Sequence, residues 1–128
     1  MQTALPAILA HTPAGASTKQ FLHFAQSFNT GDFRHFDHGV IKNLIKYGSI
    51  RPPKYHLDKV TIPVYLFYSK NDWLAAVKDV RKLKRQLKNV IGEYLIPFEK
   101  FNHLDYLWAN DVDTLVYNKL IEEMDKLV

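Results

Sequence analysis

Apolar residues recur along this chain with two different periods, and the change of period divides it. Phe21, Phe24, Ala25 and Phe28 return every three or four residues, which predicts an amphipathic helix with an aromatic stripe. Ser17 stands where an N-cap belongs, with Gln20 placed to complete a capping box, and Asn29-Thr30-Gly31 reads as a left-handed stop. The stripe is expected to pack into a core; the sharper alternative is a wall that holds an acyl chain. Val40, Ile41, Leu44 and Ile45 predict a second, shorter helix ending near Gly48. Ahead of both helices, His11-Thr12-Pro13-Ala14-Gly15-Ala16 reads as a turn-rich link. Residues 1–10 are mildly apolar, lack a basic leader and are interrupted at Pro6, so they are read neither as a signal peptide nor as a membrane span.

Arg51-Pro52-Pro53-Lys54-Tyr55 breaks the helical pattern, because neither proline can donate a backbone hydrogen bond. It is expected to be an extended connector and the chief boundary in the chain. After it, residues 62–68 form a continuous apolar, β-type run, as in a strand covered on both faces. Residues 75–88 carry Val77, Val80, Leu83 and Leu87 on one side and Lys78, Arg81, Lys82 and Arg85 on the other, which predicts an amphipathic helix. Residues 90–96 predict a second strand, closed by Pro97. Asp113 is expected to cap a last helix whose inner stripe is Val116, Leu120, Met124 and Leu127. Strand, helix, strand, loop and helix make one parallel unit of an α/β fold. Two strands are not a whole sheet, so the chain is expected to be the last third of a larger α/β domain, and prone to aggregate if its strand edges stay bare.

The 128 residues suffice for about one small domain. A formal charge of +4 is modest, and the basic residues gather in residues 78–88 without interleaved aromatics. They are expected to form a solvated outer helix face, with a polyanion-binding module as the weaker rival and no argument for nucleic acid. There is no cysteine, hence no disulfide or thiolate metal site. His35, Asp37 and His38 cluster, but their spacing fits no closed ligand set, so no metal and no cofactor is expected.

Asp72 follows the first predicted strand and His103 follows the second. Ligands in open α/β sheets meet loops at the carboxyl ends of strands. Neighbouring parallel strands lie about 4.8 Å apart, so two such loops can bring an acid to an imidazole. A buried carboxylate would fix the imidazole tautomer and stabilise its charged form. Asp79, on the outside of a helix, and Asp105, too close to His103 in sequence, are weaker candidates for the acid. The chain contains no Gly-x-Ser-x-Gly turn, so no nucleophile is assigned within it.

An ordered set of motifs carries a family resemblance. His11-Thr12-Pro13-Ala14-Gly15-Ala16-Ser17, Asp37-His38-Gly39, Pro52-Pro53-x-Tyr55, Lys70-Asn71-Asp72-Trp73-Leu74-Ala75 and Asn102-His103-Leu104-Asp105-Tyr106-Leu107-Trp108 occur in turn. They resemble the C-terminal part of the acid lipases, the α/β-hydrolases that include gastric lipase, lysosomal acid lipase and insect relatives. The resemblance implies that residues 1–50 are the end of a helical cap and the return to the core, and that residues 51–128 are the C-terminal part of the core. It makes Asp72 the triad aspartate and His103 the triad histidine, with Tyr106, Leu107 and Trp108 packed beneath it. It implies a hydrolase of neutral-lipid esters, secreted or lysosomal when complete, touching a lipid interface without a transmembrane segment. Residues 97–102 form a loop about two residues longer than the family's, which is expected to shift His103 slightly. Without the serine and the oxyanion donors the chain alone is expected to be inert, and the alternative is a non-catalytic lipid-binding or interaction remnant.

Overall fold

The computed structural model describes residues 5–12 and 14–127. Residues 1–4, part of the stretch read above as neither a signal peptide nor a membrane span, and Pro13 of the turn-rich link lie outside the described residues. The chain divides into two compact units, which meet in sequence between His56 and Leu57.

The first unit contains helices α1 (Leu5–His11), α2 (Thr18–Thr30) and α3 (Val40–Tyr47). Pro6, which interrupts the apolar run, sits in the first turn of α1, where a missing N–H leaves no bond unmade. Ser17 does hold the cap position of α2, but its side chain makes no cap hydrogen bond; Gln20 N–H donates to the Ser17 carbonyl (2.9 Å), so the capping box is not formed. Both helices stop as predicted. Gly31 and Gly48 take φ of 64° and 67°, and their N–H groups donate to Ser27 O and Leu44 O. Only glycine enters that region without steric cost.

The stripes of these helices are not buried. Phe28 is 76% exposed and Ile45 81%, and Phe21, Phe24, Val40, Ile41 and Leu44 are also exposed. This unit is held by polar links instead. The fully buried Asn43 accepts from His38 N–H (2.9 Å) and donates to Asp37 Oδ1 (2.8 Å) and Ile50 O (3.1 Å). Gln26 clasps the backbone of Asp37, donating to its carbonyl at 2.9 Å and accepting from its N–H at 2.8 Å. The proline stretch is extended, as expected, and pairs back: Lys54 bridges antiparallel to Arg34, and Tyr55 N–H donates to Phe33 O (3.0 Å).

The second unit is built on strands β1 (Val64–Tyr68) and β2 (Val90–Leu95), joined by α4 (Val77–Gln86). The strands pair in parallel, with Tyr65 opposite Gly92 and Tyr68 opposite Leu95. A side chain at Gly92 would collide with the Tyr65 ring, so glycine lets that ring lie across the neighbouring strand. Ile96 N–H extends the ladder to Tyr68 O (2.9 Å). The fold is thus mixed, with a small parallel sheet, as in part of an α/β fold. Strand β1 is half-buried along most of its length, not covered on both faces, because a two-stranded sheet with one layer of helix leaves it partly open.

Short helix α5 (Asp105–Trp108) follows, then a π-helical turn (Asp113–Tyr117) continuing into α6 (Asn118–Asp125). Val112, not Asp113, takes the cap position; the Asp113 carboxylate accepts the next N–H, of Thr114, at 2.8 Å. Of the predicted stripe only Val116 is buried, joining Ile96 and Phe101 in the core, while Leu120, Met124 and Leu127 are exposed. No described helix is long and apolar enough to cross a membrane.

Candidate active site

The loop after β1 and the turn after β2 meet through three successive residues. Lys70 Nζ reaches Glu99 (2.9 Å), Asn71 Nδ2–H donates to Lys100 O (2.8 Å), and Asp72 meets His103. Ser69 before them is fully buried, and its hydroxyl, like that of Tyr106, has no hydrogen-bond partner. Sequence reading singled out only Asp72 and His103 here. The run Ser69-Lys70-Asn71, polar directly after an apolar strand, was the available signal for the rest.

Asp72 is held from two sides. Its Oδ1 accepts the N–H groups of Leu74 (2.9 Å) and Ala75 (2.8 Å), closing the turn into α4. Its Oδ2 lies 2.9 Å from His103 Nδ1. The residue is 4% exposed. Burial pushes its carboxyl up, but the Ala75 N–H, the His103 imidazole and the Leu74 N–H together hold it below the ordinary 3.8. The carboxylate is therefore ionised at neutral pH and can only accept, so His103 donates from Nδ1. Its Nε2 is left with a lone pair on a side chain that is 49% exposed.

The histidine turn has its own lock. Asn102 Oδ1 accepts Leu104 N–H (2.9 Å), and Asp105 Oδ2 accepts Asn102 N–H (2.7 Å). Asp105 is thus occupied with the turn, and Asp79 lies exposed in the first turn of α4. Phe101, fully buried, anchors the strand side, with Tyr106 edge-on to it at 4.8 Å. Leu107 is exposed and does not pack under the histidine; Trp108 is half-buried. The loop of residues 97–102 leaves His103 within reach of Asp72.

Two other histidines pack within the first unit, His23 against the Arg34 carbonyl and His35 against Tyr55. His35 stacks on Tyr55 at 4.3 Å, and Asp37 accepts from Gly39 N–H and Asn43. Among the described residues no group of three or more His, Cys, Asp or Glu is placed to hold a metal. A cavity of about 690 Å³ in the first unit is lined by polar residues including His23 and Arg34. Its size does not make it the site, because Arg34 and Lys54 are both spent on Asp32 and His23 on the Arg34 carbonyl. The candidate arrangement is the Asp72 carboxylate and His103 imidazole of the second unit.

No family model matches the chain. Curated relatives do. Lipase 3 of Drosophila melanogaster is 46% identical over 117 residues, covering 91% of this chain and 30% of that lipase. Gastric triacylglycerol lipase of Bos taurus is 38% identical over 121 residues, 94% of this chain and 30% of that protein. Human lysosomal acid lipase/cholesteryl ester hydrolase is 36% identical over 117 residues, again 91% of this chain and 29% of its own. The chain therefore spans less than a third of the length of these relatives. Over nearly all of its length it is similar to these named lipases, the gastric and lysosomal acid lipases among them, and it fits the C-terminal part of such a lipase.

Proposed function

We propose that this chain carries the acid and the base of a carboxylic ester hydrolase acting on neutral lipids, as the C-terminal portion of an α/β-hydrolase fold. One observation carries the reading: Asp72 and His103, at the carboxyl ends of two paired parallel strands, share a 2.9 Å contact that leaves Nε2 open. In this reading residues 1–50 are the end of a cap and residues 51–128 the core portion.

The chemistry follows from the tautomer. A serine hydroxyl supplied from outside this chain gives its proton to His103 Nε2 as its oxygen attacks the ester carbonyl. Asp72 stabilises the imidazolium without taking the proton. His103 then protonates the departing alcohol, leaving an acyl-serine, and a water activated by the same Nε2 releases the acid. Without a Gly-x-Ser-x-Gly turn in the chain, it is inert by itself, since an imidazole activates a nucleophile and is a poor substitute for one. The names of the gastric and lysosomal relatives support a secreted or lysosomal setting for the complete enzyme.

A fusion tests this. The chain is joined behind the complementary N-terminal part of Lipase 3 and assayed on a short p-nitrophenyl ester and on emulsified triacylglycerol. Hydrolysis that disappears in His103→Ala is expected, with no turnover by the chain alone. A folded fusion without activity, or His103-dependent turnover by the chain alone, overturns the reading. The exposed Phe21, Phe24 and Phe28 support a second role in lipid contact; binding of the isolated chain to neutral lipid droplets, lost when these are changed to serine, would favour it.

A further inference from the structure

The positive charge of this chain is concentrated in one place that the proposed hydrolysis does not use. Residues 78–88 hold six Lys and Arg against Asp79 alone, a net of +5, while the whole chain carries +4. Helix α4 turns part of this run into a line. Lys78, Arg81 and Arg85 are exposed and stand three and four residues apart, so they share one ridge of the helix. A rise of about 1.5 Å per residue puts the three cations within about 10 Å along that ridge. Val77, Val80 and Leu83 are half-buried where α4 packs on β1. Lys84 pairs with Glu93 (3.1 Å), but among the described residues Lys78, Arg81 and Arg85 meet no carboxylate. Helix α6, in the same unit, is built differently: its Lys119 and Lys126 each pair with both Glu122 and Glu123, at 2.7–3.0 Å. Opposite charges three or four residues apart stabilise a solvated helix, and like charges at those spacings destabilise it. The ridge of α4 keeps like charges there, a demand for anions that the chain itself does not meet.

We propose that Lys78, Arg81 and Arg85 form a docking ridge for a linear sulfated polysaccharide. A guanidinium presents paired N–H donors that match the oxygens of a sulfate, and a stepped row of cations matches sulfates repeated along one chain. Short Lys/Arg-rich runs are a sequence mark of such heparin-type patches. A lipid surface fits less well. A helix that docks on lipid buries an apolar face beside its cations, and the apolar residues of α4 are already engaged at the sheet. Nucleic acid also fits less well, since no aromatic ring interleaves with these charges to stack on a base. None of the three side chains touches Asp72 or His103, so the proposal does not rest on the hydrolase reading.

The test titrates a fluorescein-labelled heparin oligosaccharide with the full chain at about 0.15 M salt, read by anisotropy, and then varies the salt. Lys78→Gln, Arg81→Gln and Arg85→Gln together should weaken binding about tenfold or more and flatten its salt dependence, because fewer counterions are released. Lys19→Gln, Lys42→Gln and Lys59→Gln together change the net charge equally at exposed positions elsewhere, and should weaken binding less than about twofold. Hyaluronan, which carries carboxylates and no sulfates, should bind more weakly than heparin. No loss in the ridge variant, or equal losses in the two triple variants, overturns the proposal. Phosphatidylserine vesicles or duplex DNA bound as tightly as heparin, with the same three residues required, overturn the choice of polysaccharide. Glutamine is a good helix former, so the ridge variant should fold. If it does not, amide NMR shifts of the unaltered, isotope-labelled chain on adding heparin decide the matter: shifts concentrated in α4 support the ridge, and shifts centred elsewhere overturn it.

Discussion

Replacing Asp72 by asparagine keeps the outline of the side chain and removes its charge. The amide oxygen can still accept from Leu74 and Ala75 N–H. Its NH₂ would face His103 Nδ1, so the imidazole must present a lone pair there and move its proton to Nε2. Three charge-assisted hydrogen bonds become neutral ones. Bonds to a charged group contribute about 1.5–3 kcal/mol and neutral ones about 1, so each bond loses about 0.5–2 and the three together about 1.5–6 kcal/mol before screening. The histidine side is half-exposed and its share is discounted, leaving the two backbone bonds and about 1–4 kcal/mol for Asp72→Asn. Asp72→Ala also orphans two backbone N–H groups in a nearly sealed site, at about 1–3 kcal/mol each, for a total of about 3–5 kcal/mol. Urea unfolding followed by the fluorescence of Trp73 and Trp108 measures both. The pH dependence has a fixed sign. The folded carboxyl lies below its ordinary 3.8, so the unfolded chain binds more protons and stability rises with pH. The Asp72 contribution is therefore full near pH 5 and is lost as pH falls below 3.8. An alanine variant no weaker than the asparagine one, or a wild-type advantage that persists undiminished at pH 2, would refute this account of how the carboxylate is held.

Gly92→Ala drives a methyl group into the Tyr65 ring and should cost about 1–3 kcal/mol in the same urea assay, with Tyr65→Leu restoring most of it; an unmoved midpoint would mean the ring is not pinned there. Asn71→Ala removes one bond between the two loops and should cost about 1 kcal/mol, whereas Lys70→Ala, which breaks only a solvated pair, should leave the midpoint in place. Serine at Phe24 and Phe28 together should leave thermal stability unchanged while reducing both dye binding by exposed apolar surface and aggregation on heating. A large loss of stability there would show these rings to be packed in solution.

The strands, α4 and the glycine stops were legible because each is written in local chemistry: a β-type apolar run, a period near 3.6, a residue that tolerates positive φ. The same periodicity misjudged α2, α3 and α6, and for one reason. A stripe of Phe21, Phe24 and Phe28 records a demand for burial and carries no information about what meets it; in this chain nothing described does. Capping failed for a related reason. Ser17 occupies the right position, yet its hydroxyl forms no cap bond, because a residue pattern specifies an opportunity and not a rotamer.

The acid and the histidine were legible because strand ends locate loops, but what holds them together was not. Residues 70, 71 and 72 reach residues 99, 100 and 103, pairings separated by about thirty positions that no local spacing encodes. The loop between Pro97 and Asn102 is therefore free to vary. Closing a slightly longer loop would cost little, since the entropy grows only with the logarithm of length. What fixes His103 is where the loop's two ends are pinned: Ile96 on the strand ladder and Asn102–Asp105 in their reciprocal turn. Extra residues between those pins can bulge into solvent, as exposed Phe98 and Glu99 do, without moving the imidazole. On that reasoning, lengthening the loop further at residue 99 should spare the Asp72 contact, while breaking the Asn102–Asp105 turn with Asp105→Ala should loosen it, a contrast the His103 tautomer ratio can read directly.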